Sequence, residues 1–264
     1  MKRNASIGVF DSGIGGLTVA REISRLMPGE SLVYMGDTAR LPYGSKSAQT
    51  VIKYAVRNVS FLKEHPLKAV VVACNTVSSV ALPSLREITR VPVLGVISPG
   101  ARAAVAATTT GRIGIIGQPG TIASGRYETA ILRLKSSAQI FSRATPLLVP
   151  LAEEGWVGTE VARLVLESYL VPLLEQKIDT LVLGCTHYPL FKDQMAGLFP
   201  ELRLVDSAES ISRELLTMLQ EEDLVSQSET PTHRFFATDS TQTFMKVGRD
   251  FWGSDFPRVL HVDL

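Results

Sequence analysis

Val70-Val71-Val72-Ala73-Cys74-Asn75-Thr76 ends an apolar, β-branched run with a thiol and two small hydrogen-bonding residues. Leu181-Val182-Leu183-Gly184-Cys185-Thr186-His187 repeats the plan, with its cysteine 111 residues further on. Each stretch reads as a buried strand that delivers a cysteine at its carboxyl end. Outward from these two, further strand candidates are Ile7 to Phe10, Leu32 to Met35, Val93 to Ile97, Ile113 to Ile116 and Leu202 to Val205. The intervals carry helical spacing, as at Leu17, Ala20, Ile23 and Met27, or at Leu164, Val165, Tyr169 and Leu173 in a segment from about Val157 to Gln176. Short apolar runs alternating with amphipathic stretches predict an α/β chain with mostly parallel sheets flanked by helices.

The repetition goes further. Ile7-Gly8-Val9-Phe10-Asp11 resembles Ile113-Gly114-Ile115-Ile116-Gly117 at an offset of 106, and each is followed by a Gly-bearing turn. Two pairs in one order at nearly one offset favour duplication, hence two similar lobes related by a pseudo-twofold axis. Pro99-Gly100 and Asp206-Ser207 are the expected crossing points, giving a first lobe of 1–98 plus 208–264 with Cys74 and a second of 99–207 with Cys185. Ligands bind at the carboxyl ends of strands in open parallel sheets, so two facing lobes would bring both thiols to one shared cleft.

Composition narrows the function classes. At 264 residues and 45% hydrophobic content the chain can bury a core without metal or disulfide support. Its 27 basic and 26 acidic residues nearly cancel and form no block, which argues against a nucleic-acid partner. No run reaches a membrane span or a signal-peptide core, so a cytoplasmic protein without membrane contact is expected. The spacing of the two cysteines suits neither a metal pair nor a disulfide scaffold, and both are read as free thiols.

A lone cysteine is ordinarily a small buried hydrophobe. Here each one stops an apolar run beside small polar residues, Asn75 and Thr76 or Thr186 and His187, which with the coming backbone N–H groups can stabilise a thiolate. Two thiols flanking a small substrate suit inversion of a stereocentre, one removing a proton from one face of a carbon while the other supplies one to the opposite face. Asp11 opens Asp11-Ser12-Gly13-Ile14-Gly15-Gly16-Leu17, but G-x-G-x-x-G read from Gly13 meets Thr18 and no Walker lysine follows. A small carboxylate fits this loop better than a pyrophosphate. Asp37 could still mimic the ribose-binding acid of a nucleotide-dependent oxidoreductase. His187 is read either as a satisfied interior histidine or as a proton carrier beside Cys185. Pro42-Tyr43-Gly44 reads as a turn on the rim shared with Asp11 and Cys74, and Thr121 as a helix cap or an anion contact. Glu153 and Glu154 read first as solvated charge at a helix start.

The motifs FDSGIGGL (10–17), DTARLPYG (37–44), ACNTVS (73–78), GTIASGRY (120–127), VPLAEEG (149–155) and LGCTHYPL (183–190) together resemble the cofactor-independent aspartate/glutamate racemase family. Within it, His187-Tyr188-Pro189 after Cys185-Thr186 favours the glutamate racemases over the aspartate racemases, which usually carry an acid after the Cys-Thr pair. The resemblance implies interconversion of L- and D-glutamate without a cofactor or metal, supply of D-glutamate for peptidoglycan, and a homodimer. It places the acid-base pair at Cys74 and Cys185, with Asp11 and His187 assisting and Glu153 in a supporting role. It places substrate contacts at Asp11, Ser12, Tyr43, Gly44, Asn75, Thr76, Thr121, Thr186 and His187. Only six residues precede the first strand, so the amino-terminal extension linked in some members to activation by a cell-wall precursor is not expected. A two-lobed small-anion binding protein remains the non-enzymatic alternative.

Overall fold

Buried apolar runs become strands wherever helices can cover both their faces. A computed structural model describes residues 2–253 and 256–264, and of Thr243 the backbone alone. Among the described residues the strands are β1 (Ser6–Asp11), β2 (Leu32–Gly36), β3 (Leu67–Val72), β4 (Val93–Gly95), β5 (Arg112–Gly117), β6 (Gln139–Ala144), β7 (Thr180–Gly184), β8 (Arg203–Asp206), β9 (His233–Ala237) and β10 (Val259–His261). They form two sheets, ordered β10-β9-β2-β1-β3-β4 and β6-β5-β7-β8, with every pairing parallel. The order β2-β1-β3-β4 in one sheet matches β6-β5-β7-β8 in the other. β1 thus corresponds to β5 and β3 to β7, the same two pairs that repeat in the sequence.

The helices are α1 (Leu17–Leu26), α2 (Ala48–Leu62), α3 (Asn75–Val80), α4 (Leu82–Ile88), α5 (Ile97–Ala107), α6 (Pro119–Ala123), α7 (Arg126–Leu134), α8 (Leu148–Glu153), α9 (Glu160–Leu174), α10 (Lys192–Leu198), α11 (Ser207–Glu221) and α12 (Thr241–Trp252). Strand periodicity divides each core in two. Ile7, Val9 and Val71 pack with Leu17, Ile23, Ile211 and Leu215 of α1 and α11. Phe10, Val70 and Val72 pack with Val51, Ala55 and Val59 of α2 on the other side. In the smaller sheet, Leu181 and Leu183 face α9 and α10, whereas Ile113, Ile115 and Val182 face α5 and α7. Both sheets are therefore doubly covered.

Several local expectations change. Pro99-Gly100 lies inside α5 and not in a linker turn, because proline in a first helical turn gives up an N–H that has no partner there anyway. The boundary drawn between residues 98 and 99 therefore cuts a helix. The helix expected from Val157 starts later, at Glu160, since Gly158 has a φ of +81° and the Thr159 hydroxyl caps the helix by accepting from the Ala162 N–H. Glu153 ends α8 and does not begin a helix. Gly155, with φ +73°, supplies the left-handed residue that stops the chain there.

Candidate active site

Parallel strands put Asp11 at the end of β1, Cys74 just past β3 and Cys185 just past β7. β1 and β3 are adjacent at the point where strand order reverses, and β5 and β7 stand likewise in the other sheet. Both cysteines are free and buried. They line one cavity of about 40 Å³ with Ser12, Tyr43, Gly44, Asn75, Thr76, Thr186 and His187, joined by Leu41, Pro42, Gln118, Val149 and Gly184. Thr121 sits one layer back, its hydroxyl 3.0 Å from that of Thr76 across the lobes. It lies within α6 and does not cap it.

The two thiols have different surroundings. Cys74 stands 3.3 Å from the Ser12 hydroxyl, and burial together with the charge of Asp11 pushes its pKa up to about 12. Asp11 is fully buried; its Oδ2 accepts from the Gly13 N–H at 3.0 Å, while Oδ1 has no partner among the described residues. Burial raises its pKa, opposed by the charge of His187. On the other side the Cys185 sulfur lies 3.8 Å from His187 Nδ1, and His187 Nε2 lies 2.9 Å from Glu153 Oε1. Burial alone would lower the histidine pKa, but the hydrogen bonds with Cys185 and Glu153 prevail and push it up to about 10. The Phe251 ring meets the imidazole edge-on at 5.5 Å.

Asp37 is not free to hold a ribose. It is completely buried, and Tyr43, Asn58, Thr238 and Arg40 all donate to its two oxygens, at 3.1 Å from Asn58 and 2.8 Å from each of the last two. Its work is to hold the Tyr43-Gly44 turn against β2. Two residues to which the sequence assigns no individual role also bear on the site: Gln118, whose amide donates to the Tyr188 hydroxyl at 3.2 Å, and Tyr127, the last residue of the GTIASGRY stretch, which donates to Asn75 Oδ1 at 2.7 Å. Neither lies in a local pattern that points to its partner. Among the described residues no three His, Cys, Asp or Glu side chains stand close enough to hold a metal ion, and no helix is long and apolar enough to cross a membrane.

Two doubly wound lobes that close their carboxyl edges on a pair of thiols define an α/β enzyme of the racemase type. The Asp/Glu/Hydantoin racemase family matches residues 7–215, and the chain belongs to that family. It is 48% identical over 261 residues to a glutamate racemase of Geobacter metallireducens, covering 98% of this chain and 97% of that protein. Among solved structures, glutamate racemase isoform RacE1 from Bacillus anthracis superposes with a TM-score of 0.95 at 42% identity, covering 99% of this chain and 98% of that one. The glutamate racemase from Francisella tularensis in complex with D-glutamate gives 0.93 at 35% identity, with the same coverage.

Proposed function

We propose that this chain interconverts L-glutamate and D-glutamate, with Cys74 and Cys185 as the two bases and without a cofactor. The observation that carries the reading is the pair of thiols on one small cavity, each with its own proton-handling neighbour. One thiol begins ionised and the other protonated, and the assignment reverses for the opposite enantiomer. Cys74 takes the α-proton of D-glutamate and Cys185 that of L-glutamate. A proton passed from Cys74 to Asp11 removes the negative charge that itself opposes thiolate formation. His187, protonated through neutral pH, keeps a proton within reach of Cys185.

The α-proton is far less acidic than a thiol, so the site must supply the difference. Fixed geometry can contribute roughly 7–11 kcal/mol. Hydrogen bonds from Asn75, Thr76 and Thr186 to the carboxylate, with Thr121 holding the Thr76 hydroxyl from behind and Ser12, Tyr43 and Gly44 completing the contacts, stabilise charge as it leaves Cα. The cavity as it stands holds roughly three waters at about 10–15 Å³ each, so the lobes must part to admit an amino acid and close again to exclude water. The same reading makes the chain a cytoplasmic homodimer that supplies D-glutamate for peptidoglycan, with one lobe carrying Cys74 and the other Cys185.

Circular dichroism of either enantiomer incubated with the protein tests the reading. Optical activity should decay to zero from both sides, and in deuterated water the product should carry deuterium at Cα. A protein that binds glutamate and leaves its rotation unchanged would be a binding protein and not a racemase.

His187 adds a pH prediction. A rate that needs the histidinium falls as pH rises through its pKa of about 10. Glu153→Gln removes one of the interactions that raise this pKa, so the alkaline limb of kcat/KM should move to lower pH. Stability has the same sign: the contribution of the protonated histidine is complete below the ordinary value of 6.5 and is lost as pH rises through about 10. An alkaline limb that stays in place in Glu153→Gln would remove Glu153 from the relay.

A further inference from the structure

Tyr127 reaches both halves of the site from a helix that contributes no residue to the cavity lining. It lies on α7 and is 3% exposed. Its ring runs between two glycines: a Cβ at Gly100 would stand 3.2 Å from Cε1, and one at Gly184, next to Cys185, would stand 3.4 Å from Cε2. The hydroxyl then crosses to the other lobe and donates to Asn75 Oδ1 at 2.7 Å, beside Cys74. Burial, with the Cys185 charge adding to it, raises the phenol pKa, so the hydroxyl always has a hydrogen to place. A buried O–H needs an acceptor.

That requirement fixes the amide. An asparagine has one acceptor oxygen and one NH2 with two hydrogens. Turning the Asn75 amide over would present NH2 to Tyr127 and leave the phenolic hydrogen without its acceptor. With the oxygen held by Tyr127, the NH2 is turned away, where Ser207 Oγ, 3.5 Å off, takes one hydrogen at most. The second is free for the cavity that Asn75 lines. Because α7 belongs with one sheet and Asn75 with the other, the bond exists only while the lobes are together.

Resting on the racemase reading above, we propose that Tyr127 is a positioning residue that holds the Asn75 amide with its N–H toward the substrate carboxylate and makes that orientation conditional on lobe closure. Tyr127→Phe keeps the ring and removes only the hydroxyl. It should raise KM for both enantiomers roughly tenfold, as loss of one buried hydrogen bond implies, with kcat and the pH profile little changed. In an Asn75→Ala background no amide remains to be oriented, so adding Tyr127→Phe should cause no further loss. The dissociation constant of D-glutamate, measured by calorimetry in the same four proteins, gives the same comparison without turnover. A wild type that binds but does not racemise would therefore sink the proposed function while still testing Tyr127. Wild-type KM and affinity in Tyr127→Phe, a fall confined to kcat, or losses that multiply in the double variant would overturn the proposal.

Discussion

Cys185→Ala should lower racemisation of glutamate by roughly a thousandfold or more, in line with what a positioned acid or base contributes. Both directions should suffer, because each turnover needs one thiol to take a proton and the other to give one. Cys74→Ala should do the same. The fold should survive either change. Each thiol lies at the end of an apolar cluster whose bulk is aliphatic, Leu181, Leu183 and Leu166 in one case and Val70, Val72 and Val59 in the other. Losing one buried sulfur should cost about 1 kcal/mol, small beside the catalytic loss. The measurement is circular dichroism of L- and D-glutamate with each purified variant, paired with a thermal melt. Turnover by Cys185→Ala within tenfold of wild type, with a native melt, would leave a single-base mechanism as the remaining choice.

The sequence exposes the strands that carry a buried apolar run and hides those that do not, for a physical reason. β1, β3, β5 and β7 are covered on both faces, so each is a nearly unbroken apolar run that ends abruptly where the site begins. Their repetition and their cysteines can be read from composition and order alone. β6, spelled Gln139 to Ala144, is half exposed along its length, and β10 keeps only Val259 buried. Neither carries a continuous apolar run, and neither does β9, an interior strand that opens on His233 and Arg234. The edge strands β4 and β8, by contrast, keep enough apolar residues to be legible. The site divides the same way. Cys74, Cys185, Asp11 and His187 follow strands directly, and the family motifs carry the rest of the lining. Glu153, Asp37 and Tyr127 act through partners 34, 201 and 52 residues away, such as His187, Thr238 and Asn75. Such pairings depend on tertiary packing, within one lobe for the first two and between the lobes for the third, which no local spacing encodes. The small volume of the cavity was equally hidden, because cleft width is a property of lobe placement.

Gly15→Ala should carry the second large effect, through that same lobe contact. Gly15 lies on the loop between β1 and α1, and a Cβ there would stand 2.4 Å from His187 Nδ1 and 2.4 Å from Thr186 Oγ1. The loop is pinned in place: the Thr18 hydroxyl donates to Gly15 O at 2.9 Å and to Thr186 O at 3.1 Å. His187 has little room to retreat, with Glu153 on Nε2 and the Phe251 ring against its side. The added methyl must therefore push the imidazole off Cys185, whose sulfur faces the same Nδ1, or hold the lobes apart. A misplacement of about 1 Å costs on the order of a hundredfold in rate. kcat/KM should fall by about that factor. Each lobe keeps its own core, so the melting temperature should drop by only a few degrees, about 1 kcal/mol for a chain of this size. Gly197→Ala on α10 is the matched control, since a Cβ there meets nothing within 4 Å and alanine favours the helix. If Gly15→Ala is as active as Gly197→Ala, the closed junction is not the form in which proton transfer occurs, because the methyl and the native His187 position cannot occupy that space together.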